Sequence, residues 1–421
     1  MRVIVIGGGV IGTTTAYYLH ADGHEVVLVD REQQLATEAS FANGGMLHAS
    51  HTEPWNTPAA IGQLLRWIGR EKSPLLLRPS QIPNLIGWGL GFFRYGMPKH
   101  HHRNTRVNAR LAVYSIECMR QLRAETGIAY DERASGILKI FHDSDEWVAG
   151  RTASERVRDL GVRYQMLDTD DVMAIEPTLD AVRDQIVGGI YYPDDEIGDP
   201  CLFTRRLGDI LAGEGAELRL GESVTAINSH NGSVTGVTTD QGTIEADKVV
   251  LAAGSEAVAL ARPLGVRLPI RPVKGYSATV DVSDCDSVPT TPIIDAGRKV
   301  VITALGQRLR VAGTAEFAGL NRTVNENRVR IVLDQALANF PRLASQIDYN
   351  AVEPWACLRP MTMDGPAILG ETPVDGLYLN AGSGHLGWTF AAGAGRAVAD
   401  RVAGRSPAVD IEGLKYSRFT R

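Results

Sequence analysis

The N-terminal segment places two continuous apolar runs on either side of a longer stretch with helical spacing. The apolar runs are RVIVI and EVVLVD, and the stretch between them, GGGVIGTTTAYYLHADG, begins with a glycine turn and ends near Gly23. Continuous apolar runs of this length are typical of strands that are covered on both faces of a parallel sheet. The order strand, helix, strand predicts a β-α-β unit with a right-handed crossover.

Alternating apolar and polar positions follow in the middle of the chain. The segment AELRLGESVTAINSHNGSVTGVTTDQGTIEADKVVLAAG predicts a β-meander that returns to a buried strand, with hairpin turns at HNGS and DQGT. GILKIF and GGIYYP predict strands of a second sheet, and the C-terminal part predicts a strand, a glycine loop and a helix. The chain leaves its first domain and re-enters it, so we expect discontinuous domains.

A glycine motif lies where the first predicted strand meets the first predicted helix. Gly7, Gly9 and Gly12 have the spacing G-x-G-x-x-G, which allows a tight turn, a close approach of the backbone to a pyrophosphate and close helix packing. Asp30 ends the next strand, at the distance expected for an acidic residue that binds ribose hydroxyls. The complete unit predicts a dinucleotide site, but it does not distinguish NAD from FAD.

Two later segments favour FAD. ADKVVLAAGSEA carries a buried strand that leads into Gly254, and DGLYLNAGSGHLGWTFAAGAGRAVADRVAG follows near the C-terminus. Both resemble the remote strand segments of flavoproteins with two dinucleotide-binding domains, which ordinary Rossmann-type NAD dehydrogenases do not usually need. An NAD-dependent dehydrogenase is the alternative, and it predicts a purified protein without the yellow colour of flavin.

Composition narrows the classes of function. The chain has 421 residues and a formal net charge of −6, so no basic excess indicates nucleic-acid binding. The four cysteines form no CxxC pair, which argues against a disulfide framework or a zinc site, and we expect no metal. No uncharged apolar run is long enough for a membrane-spanning helix. We therefore expect a cytoplasmic protein.

One arginine stands in a segment that otherwise reads as buried. Arg359 precedes Pro360 in AVEPWACLRPMTMDGPAILG. A guanidinium cannot lose its proton to avoid the cost of burial, so Arg359 needs a negative partner. That partner is either a nearby carboxylate of the protein or an anionic ligand.

Several motifs, taken in order, resemble the D-amino acid oxidase superfamily of flavoproteins, and within it the small subunit of the bacterial D-amino acid dehydrogenases. The resemblance spans nearly the whole chain. The matching stretches are VIVIGGGVIGTTTAYYL, EASFANGG, DDEIGDPCLFTRRL, PVKGYSATV, LRVAGTAEFAGLN, LRPMTMDGPAILG and LGWTFAAGAGRAVAD.

The resemblance implies FAD as the cofactor and assigns its contacts by matching position. The loop from Gly382 to Thr389 would present backbone N–H groups and a helix N-terminus to the flavin edge that becomes negative on reduction. Where the family pattern has a small hydroxyl residue, this chain has His385, which bears on the substrate range. The expected cofactor-binding residues are Gly7, Gly9, Val10, Ile11, Gly12, Asp30, Arg31, Ser40, Asn43, Gly44, Gly45, Met46, Val224, Ala253, Gly254, Gly384, His385, Leu386, Gly387, Trp388 and Thr389.

The resemblance also implies a small amino acid as the substrate. Arg359 would bind the substrate carboxylate through two parallel hydrogen bonds, and a structural salt bridge is the alternative. Tyr276 is a candidate second contact, although it also fits a strand tyrosine that packs on the sheet. Met46, His48 and His385 are the remaining candidates for the catalytic cavity, and loop positions near the surface are the alternative for His48.

The implied reaction is FAD-dependent oxidative deamination of a D-amino acid. Hydride would pass from the α-carbon to flavin N5, and the imino acid would hydrolyse to a 2-oxo acid and ammonia. One alternative is a dehydrogenase or oxidase of secondary amino acids, of the D-hydroxyproline, D-proline or sarcosine type. An alternative of another class is a non-catalytic flavoprotein subunit of a complex, which predicts bound FAD that no amino acid reduces.

The electron acceptor is open between oxygen, a quinone and another carrier. The segment 61–94 interleaves leucine, tryptophan and phenylalanine with arginine and lysine. This composition suits a helix pair on an anionic membrane, so peripheral contact with the inner face of the cytoplasmic membrane is an expectation. An ordinary helical cover over the substrate site is the alternative, and the oligomeric state is open.

The predicted fold class is α/β, with a Rossmann-like FAD-binding domain and a discontinuous mixed-sheet substrate domain. We expect a helical insertion at about 59–110. The FAD-binding domain is assigned to 1–55, 198–262 and 352–421, and the substrate domain to 56–197 and 263–351.

Overall fold

The structure is a computed structural model that describes residues 1–57, 62, 69–71 and 73–420. The strands are β1 (Arg2–Ile6), β2 (Glu25–Asp30), β3 (Met46–Leu47), β4 (Leu75–Leu77), β5 (Ile137–Phe141), β6 (Gln165–Leu167), β7 (Gly188–Tyr192), β8 (Glu196–Ile197), β9 (Glu217–Leu220), β10 (Val224–His230), β11 (Ser233–Thr239), β12 (Thr243–Glu245), β13 (Lys248–Leu251), β14 (Ile270–Asp281), β15 (Ile293–Asp295), β16 (Val300–Leu305), β17 (Arg308–Phe317), β18 (Glu353–Thr362), β19 (Ile368–Glu371) and β20 (Leu377–Ala381).

Helices lie between groups of these strands. They are α1 (Val10–Ala21), α2 (Ile82–Tyr95), α3 (Pro98–Thr126), α4 (Ser144–Glu155), α5 (Thr169–Ile175), α6 (Pro200–Gly213), α7 (Ala257–Ala261), α8 (Glu326–Leu337), α9 (Pro341–Ala344) and α10 (Gly387–Val402). The architecture is therefore α/β, as predicted from the hydrophobic pattern.

A six-stranded sheet forms around the N-terminal β-α-β unit. Its strand order is β19-β20-β13-β1-β2-β9, and each pair is parallel except β19 with β20. Val3, Ile4 and Val5 are fully buried, which explains why this strand reads as one continuous apolar run. The predicted β-meander is also present, as the antiparallel sheet β10-β11-β12.

A second sheet of nine strands provides the opposite wall of the molecule. Its order is β18-β14-β17-β16-β15-β5-β7-β6, and β4 pairs with β17. GILKIF and GGIYYP lie in its antiparallel pair β5 and β7. β18, which contains Arg359, pairs along its length with β14 in this sheet, although the sequence division groups 352–421 with the first domain.

Helices connect the two sheets. α1 and α10 pack against each other beside the six-stranded sheet, and α3 packs on α10, where the Gly393 amide donates to Ser115 Oγ (2.8 Å). α2 covers the end of the nine-stranded sheet, because Trp88 and Phe92 pack with Phe317 and Met361. Residues 61, 63–68 and 72 of the predicted interfacial segment 61–94 lie outside the described residues, and the described part includes β4 and α2.

No helix in the described part of the chain is long and apolar enough to cross a membrane.

Candidate active site

A cavity of about 470 Å³ lies between the two sheets. One wall consists of the ends of β1 and β2 with the turn that follows β1, and includes Gly7, Gly9 and Asp30. The opposite wall consists of β14 and β18, and includes Gly275 and Arg359. The carboxyl ends of parallel strands are the usual ligand site of such sheets, so the cavity has the expected position for a dinucleotide.

The glycine motif allows a close approach between β1, α1 and β13. Gly7 has φ = +116°, and a Cβ atom there would lie 2.6 Å from the Ala252 carbonyl oxygen. A Cβ atom on Gly12 would lie 1.8 Å from the Gly7 carbonyl oxygen. Gly12 therefore has a packing role and does not line the cavity, whereas Gly9 does. A larger side chain at either Gly7 or Gly12 would separate the helix from the sheet.

Two polar side chains anchor the loops around this turn. Asp30 accepts hydrogen bonds from the Gly8 and Glu32 amides, and it lines the cavity. Burial raises the pKa of Asp30, although both amide hydrogen bonds oppose the shift. Ser40 Oγ accepts the Val10 amide at 3.0 Å, at the N-terminus of α1. Asp30 therefore braces the glycine turn in addition to facing the cavity.

Most of the residues expected to bind the cofactor line this one cavity. They are Gly7, Gly9, Val10, Ile11, Asp30, Arg31, Ser40, Asn43, Gly44, Val224, Ala253, Gly254, Gly384, His385, Gly387 and Trp388. Five of the expected residues lie behind its wall, and these are Gly12, Gly45, Met46, Leu386 and Thr389. The family pattern assigned whole segments to the cofactor, whereas only some residues of each segment face the cavity.

The residues behind the wall have identifiable packing roles. Gly45 has φ = +76°, and its carbonyl oxygen accepts the Gly198 amide at 2.8 Å. Met46 is 5% exposed and packs with Ile197 and other apolar residues, which places it in the core and outside the cavity wall. Thr389 Oγ1 donates to the Met46 carbonyl oxygen at 3.4 Å, so it ties α10 to β3.

Several lining residues, of which only Trp388 is in the expected set, carry buried polar atoms without a hydrogen-bond partner among the described residues. These atoms are Ser255 Oγ, Ser277 Oγ, Asn380 Oδ1, Ser383 Oγ and Trp388 Nε1. Buried polar groups in folded proteins are nearly always hydrogen-bonded, so this cluster indicates a polar ligand. Together with the glycine turn at a helix N-terminus, these groups fit FAD. Trp388 and Ser383 had a sequence signal, as parts of the C-terminal glycine loop GSGHLGWT, and the other three residues had no signal of their own.

Arg359 lies in the cavity wall without a carboxylate partner. Its Nη1 donates to the Thr314 carbonyl oxygen at 3.0 Å, and its Cζ lies 5.4 Å from the centre of the Trp55 ring. Among the described residues, no acidic side chain is within ion-pair distance of this guanidinium. Burial lowers the pKa of Arg359, which nevertheless stays far above neutrality for a guanidinium. The structure thus contains a charged fork of donors that faces a cavity.

Tyr276 is among the residues that line the cavity, but its hydroxyl is already paired within the protein. Its hydroxyl donates to Glu316, its side chain is 1% exposed, and its ring packs under α8. Adjacent residues of a strand point to opposite faces, and on β14 it is Gly275 that faces Arg359. Lys274 is also occupied, because its Nζ donates to Asn321 Oδ1 and to the Thr323 carbonyl oxygen, both at 2.8 Å.

The histidines form a chain of rings that begins at the cavity. His385 lines the cavity and stacks on Trp55, with ring centres 4.9 Å apart. The His51 ring lies 6.4 Å from His385 and 6.0 Å from His48. Burial lowers the pKa of His385 to about 3 and that of His48 to about 4. His385 therefore faces the cavity as a neutral imidazole, and His48 lies deeper, behind the wall.

A closed ring of ion pairs lies at the edge of the cavity. Arg31 contacts Glu38 at 2.5 Å and Glu256 at 3.4 Å, and Arg322 contacts the same two carboxylates at 3.2 and 2.7 Å. All four side chains line the cavity and are partly exposed. Arg322 follows β17, so this ring connects the nine-stranded sheet to the loops of the six-stranded sheet.

Comparison with known proteins gives consistent results over the whole chain. Residues 2–401 match the FAD-dependent oxidoreductase family abbreviated DAO. The chain is 45% identical over 421 residues to a D-amino acid dehydrogenase of Paramagnetospirillum magneticum, covering all of this chain and 99% of the relative. It is 41% identical to a D-amino acid dehydrogenase of Methylobacterium nodulans, covering 100% of both chains.

Solved structures of the same fold include a glycine oxidase and a proline dehydrogenase. The glycine oxidase of Bacillus cereus is 25% identical with a TM-score of 0.74, covering 96% of this chain and 95% of that one. The L-proline dehydrogenase of P. horikoshii is 19% identical with a TM-score of 0.79, covering 100% and 98%. The glycine motif, the position of the cavity and the full-length match agree: this chain belongs to the DAO family of FAD-dependent oxidoreductases.

Proposed function

We propose that this protein is an FAD-dependent dehydrogenase of D-amino acids. The observation that carries the proposal is Arg359, a guanidinium in the wall of the FAD cavity with one hydrogen bond to the protein and no carboxylate partner among the described residues. An α-amino acid carries the carboxylate that such a fork binds through two parallel hydrogen bonds. The relatives named D-amino acid dehydrogenase support the choice of substrate class.

FAD, when bound, supplies the acceptor for the hydride that leaves the substrate α-carbon. Gly7 and Gly9 would hold the pyrophosphate at the N-terminus of α1, and Asp30 would bind the adenosine ribose. The lining part of the Gly382–Thr389 loop would hold the flavin end, with Ser383 and Trp388 as donors that have no partner within the described chain. This arrangement assigns the six-stranded sheet to the cofactor and the nine-stranded sheet to the substrate.

The chain's own residues orient the substrate and keep water away from it. Arg359 fixes the carboxylate, and the neutral imidazole of His385 offers a nitrogen lone pair to the substrate amino group. The amine must be uncharged when hydride departs, so a neutral acceptor beside it suits the reaction better than a second cation. Trp55 contacts both Arg359 and His385. Together with Trp88 and Phe92 of the apolar cluster beside it, Trp55 would exclude solvent from this end of the cavity. Once released, the imino acid hydrolyses to a 2-oxo acid and ammonia.

Anaerobic reduction of the bound flavin tests this proposal. The purified FAD-loaded protein is mixed with matched D- and L-amino acids, with D-proline and cis-4-hydroxy-D-proline in the same panel. We expect D-amino acids to bleach the flavin absorbance and Arg359→Ala to abolish bleaching while FAD stays bound. Faster reduction by the cyclic amines would favour the secondary-amine reading. Bleaching by no amino acid would overturn the proposal and favour a non-catalytic flavoprotein subunit.

We further propose that α2 docks on an anionic membrane, where a quinone accepts the electrons. Ile82, Ile86, Leu90 and Phe93 follow one face of the helix, Met97 lies just beyond its C-terminal end, and all five are between 39% and 69% exposed. The sequence contains no acidic residue between Glu71 and Glu117, although the whole chain is acidic. An exposed apolar face beside basic residues is the usual composition of an interfacial helix.

Sedimentation with vesicles tests the membrane proposal independently of catalysis. We expect the protein to sediment with vesicles that contain phosphatidylglycerol and less with vesicles of phosphatidylcholine alone. Leu90→Glu should reduce sedimentation, whereas Val148→Glu is the matched control because Val148 is a similarly exposed apolar residue on α4. Equal sedimentation of both variants and the unchanged protein would contradict the assignment to α2.

A further inference from the structure

The guanidinium of Arg359 is held from three directions by segments that lie far apart in the chain. Nη1 donates to the Thr314 carbonyl oxygen on β17, and Cζ lies over the Trp55 ring, which precedes α2. Opposite, on β14, a Cβ atom added to Gly275 would lie 2.2 Å from Cζ, so glycine leaves the space that the guanidinium fills. These contacts leave Nε and Nη2 without an acceptor in the described part of the protein.

Thr314 has a strained backbone at this contact. Its φ is +52°, a left-handed value that is unfavourable for a β-branched residue. The other non-glycine residues with positive φ in the described chain are Ala36, Asp131, Asn231 and Lys299, none of which is β-branched. Strained residues of this kind persist where the surrounding structure enforces them, and they are frequent at functional sites.

A β-bulge explains where the strain comes from. Lys274 pairs with Glu316 and Tyr276 pairs with Gly313, so Gly275 alone is opposite both Thr314 and Ala315. The extra residue turns the local backbone out of the regular ladder. Thr314 Oγ1 is buried without a partner among the described residues, so its side chain gains nothing from this conformation. What the conformation provides is a carbonyl oxygen directed at Arg359.

The Trp55 ring contacts two groups. Arg359 lies over its ring, and His385 stacks on it at an interplanar angle of 22°. A guanidinium over an indole ring is a favourable cation–π contact, and it fixes the plane of the fork. Burial lowers the pKa of His385 and keeps it neutral, so the imidazole stacked on Trp55 adds no repulsion to the nearby guanidinium.

We propose that Thr314 and Trp55 are positioning residues that aim the free edge of Arg359 into the cavity, with the strained bulge of Thr314 serving substrate binding at a cost in stability. This inference rests on the proposed function, because it takes Arg359 as the carboxylate-binding group. It assigns specific roles to the bulge at Thr314 and to the stack on Trp55. It also predicts that a single substitution, Thr314→Gly, raises the stability of the protein and weakens ligand binding.

The experiment measures both quantities on the FAD-loaded full chain. Dissociation constants for benzoate, a carboxylate without an amine, and for D-alanine are read from the flavin spectrum without oxygen, and thermal midpoints are measured in parallel. We expect Thr314→Gly to raise both dissociation constants about tenfold, equal to roughly 1.4 kcal/mol. Its thermal midpoint should rise, because glycine accepts positive φ without strain.

Matched variants separate strain relief from a general effect of glycine. Lys299→Gly relieves the same kind of strain (φ = +58°) in a turn that does not line the cavity, so it should raise the midpoint without changing either dissociation constant. Trp55→Ala should weaken both ligands about tenfold as the cation–π contact is lost, and Trp55→Phe should recover most of the affinity. Saturating rates of flavin reduction should change less than the dissociation constants.

The outcomes distinguish this inference from the proposed function. If Arg359→Ala loses benzoate binding but Thr314→Gly and Trp55→Ala bind normally, the positioning roles are wrong and the function of Arg359 stands. If Thr314→Gly loses stability together with affinity, the bulge is merely structural and the inference fails. If Arg359→Ala binds benzoate and D-alanine like the unchanged protein, the proposed function fails first and the inference fails with it.

Discussion

Two arginines on opposite faces of the nine-stranded sheet, Arg328 buried and Arg359 half-buried, make the same aromatic contact with different consequences. Arg328 lies 5.4 Å from the Tyr276 ring centre, and Arg359 lies 5.4 Å from that of Trp55. Arg328 donates to the carbonyl oxygens of Glu71 and Ser73, at 2.6 and 3.2 Å, and lies 3.9 Å from a carboxylate oxygen of Glu316. Arg359 has one carbonyl acceptor and no described carboxylate.

The difference teaches that stacking alone does not identify a ligand site. On the helix-covered face, Nη1 and Nη2 of Arg328 donate to the protein and Nε lies 3.9 Å from Glu316, which also accepts from Tyr276 and from Arg78 at 2.6 Å. On the cavity face, only Nη1 of Arg359 donates to a described residue, so its other N–H groups can bind a ligand. The missing carboxylate neighbour among the described residues and the position beside the cavity, and not the aromatic contact, separate the candidate binding arginine from the structural one.

The largest expected effect comes from exchanging each arginine for methionine. Arg328→Met should lower the free energy of unfolding by about 3–5 kcal/mol, because it leaves buried Glu316 without one of its cationic neighbours. Arg359→Met should leave that free energy unchanged or raise it, because no carboxylate of the described protein would lose its cationic partner. Urea denaturation of both variants checks this, and equal losses would remove the distinction between the two faces.

Gly275→Ala should affect binding and leave the fold intact. The added methyl group meets the flexible end of Arg359, which can move aside at little cost to stability. The displaced fork loses its aim, so we expect D-alanine to bind more weakly by roughly 1.5–3 kcal/mol, the range for hydrogen bonds to a charged group. Spectral titration of the bound flavin measures this change, and an unchanged affinity would show that Gly275 does not provide the space for Arg359.

As the pH falls, the free energy of unfolding should be lowered first through His48, near the cavity, and only later through Glu316, on the helix-covered face. Burial, reinforced by the charge of Lys139, lowers the pKa of His48 to about 4 from the usual 6.5, so unfolding takes up a proton between these pH values. Stability is therefore complete above pH 6.5 and falls as the pH drops towards 4, by up to about 1.4 kcal/mol per pH unit. Glu316 has a lowered pKa because the hydrogen bonds from Tyr276 and Arg78 outweigh its burial, so its contribution is lost only at lower pH.

His48→Asn isolates this effect. We expect the variant to lose less stability than the unchanged protein between pH 6.5 and 4, as measured by urea denaturation at each pH. Parallel curves for the two proteins would mean that other groups control the acid response.

The smallest effect is expected at the ion-pair ring on the edge of the cavity. Arg322 and Glu38 are each 39% exposed, so water and salt screen their contacts. Arg322→Gln should lower the free energy of unfolding by less than about 1 kcal/mol and should make FAD release faster at low salt. The difference in release rate should shrink in high salt, and a difference that grows with salt would contradict an electrostatic role.

Local motifs predicted the parts of the site that depend on short spacing. The glycine turn, Asp30 and the Arg-Pro of β18 are each contained in a few residues, and all reach the cavity. Tyr276 was interpreted from the same short-range pattern, but the structure places its hydroxyl on Glu316 because a strand reverses its face at every residue. The motif VKGYS identified the strand and missed that the glycine, not the tyrosine, faces Arg359.

Long-range contacts account for the rest. Trp55 and Thr314 meet Arg359 from segments separated by more than two hundred residues of sequence, and nothing in their local sequence indicates that meeting. The positive φ of Thr314 opposes its intrinsic preference, so only the bulge between β14 and β17 enforces it. Propensity and periodicity describe one helix or strand at a time. The conformation of Thr314 instead depends on the register shift between two strands, β14 and β17, which no single segment of sequence reveals.

The position of the cavity between the two sheets links cofactor supply to the amount of folded protein. Because both walls are needed to bind FAD, the folded protein binds the cofactor and the unfolded chain does not. At a free FAD concentration one hundred times its dissociation constant, this linkage adds about 2.7 kcal/mol to the free energy of unfolding. When free FAD becomes scarce, the fraction of unfolded chains would therefore rise while most folded molecules still hold FAD. Turnover of those unfolded chains would then lower the amount of this enzyme in the cell.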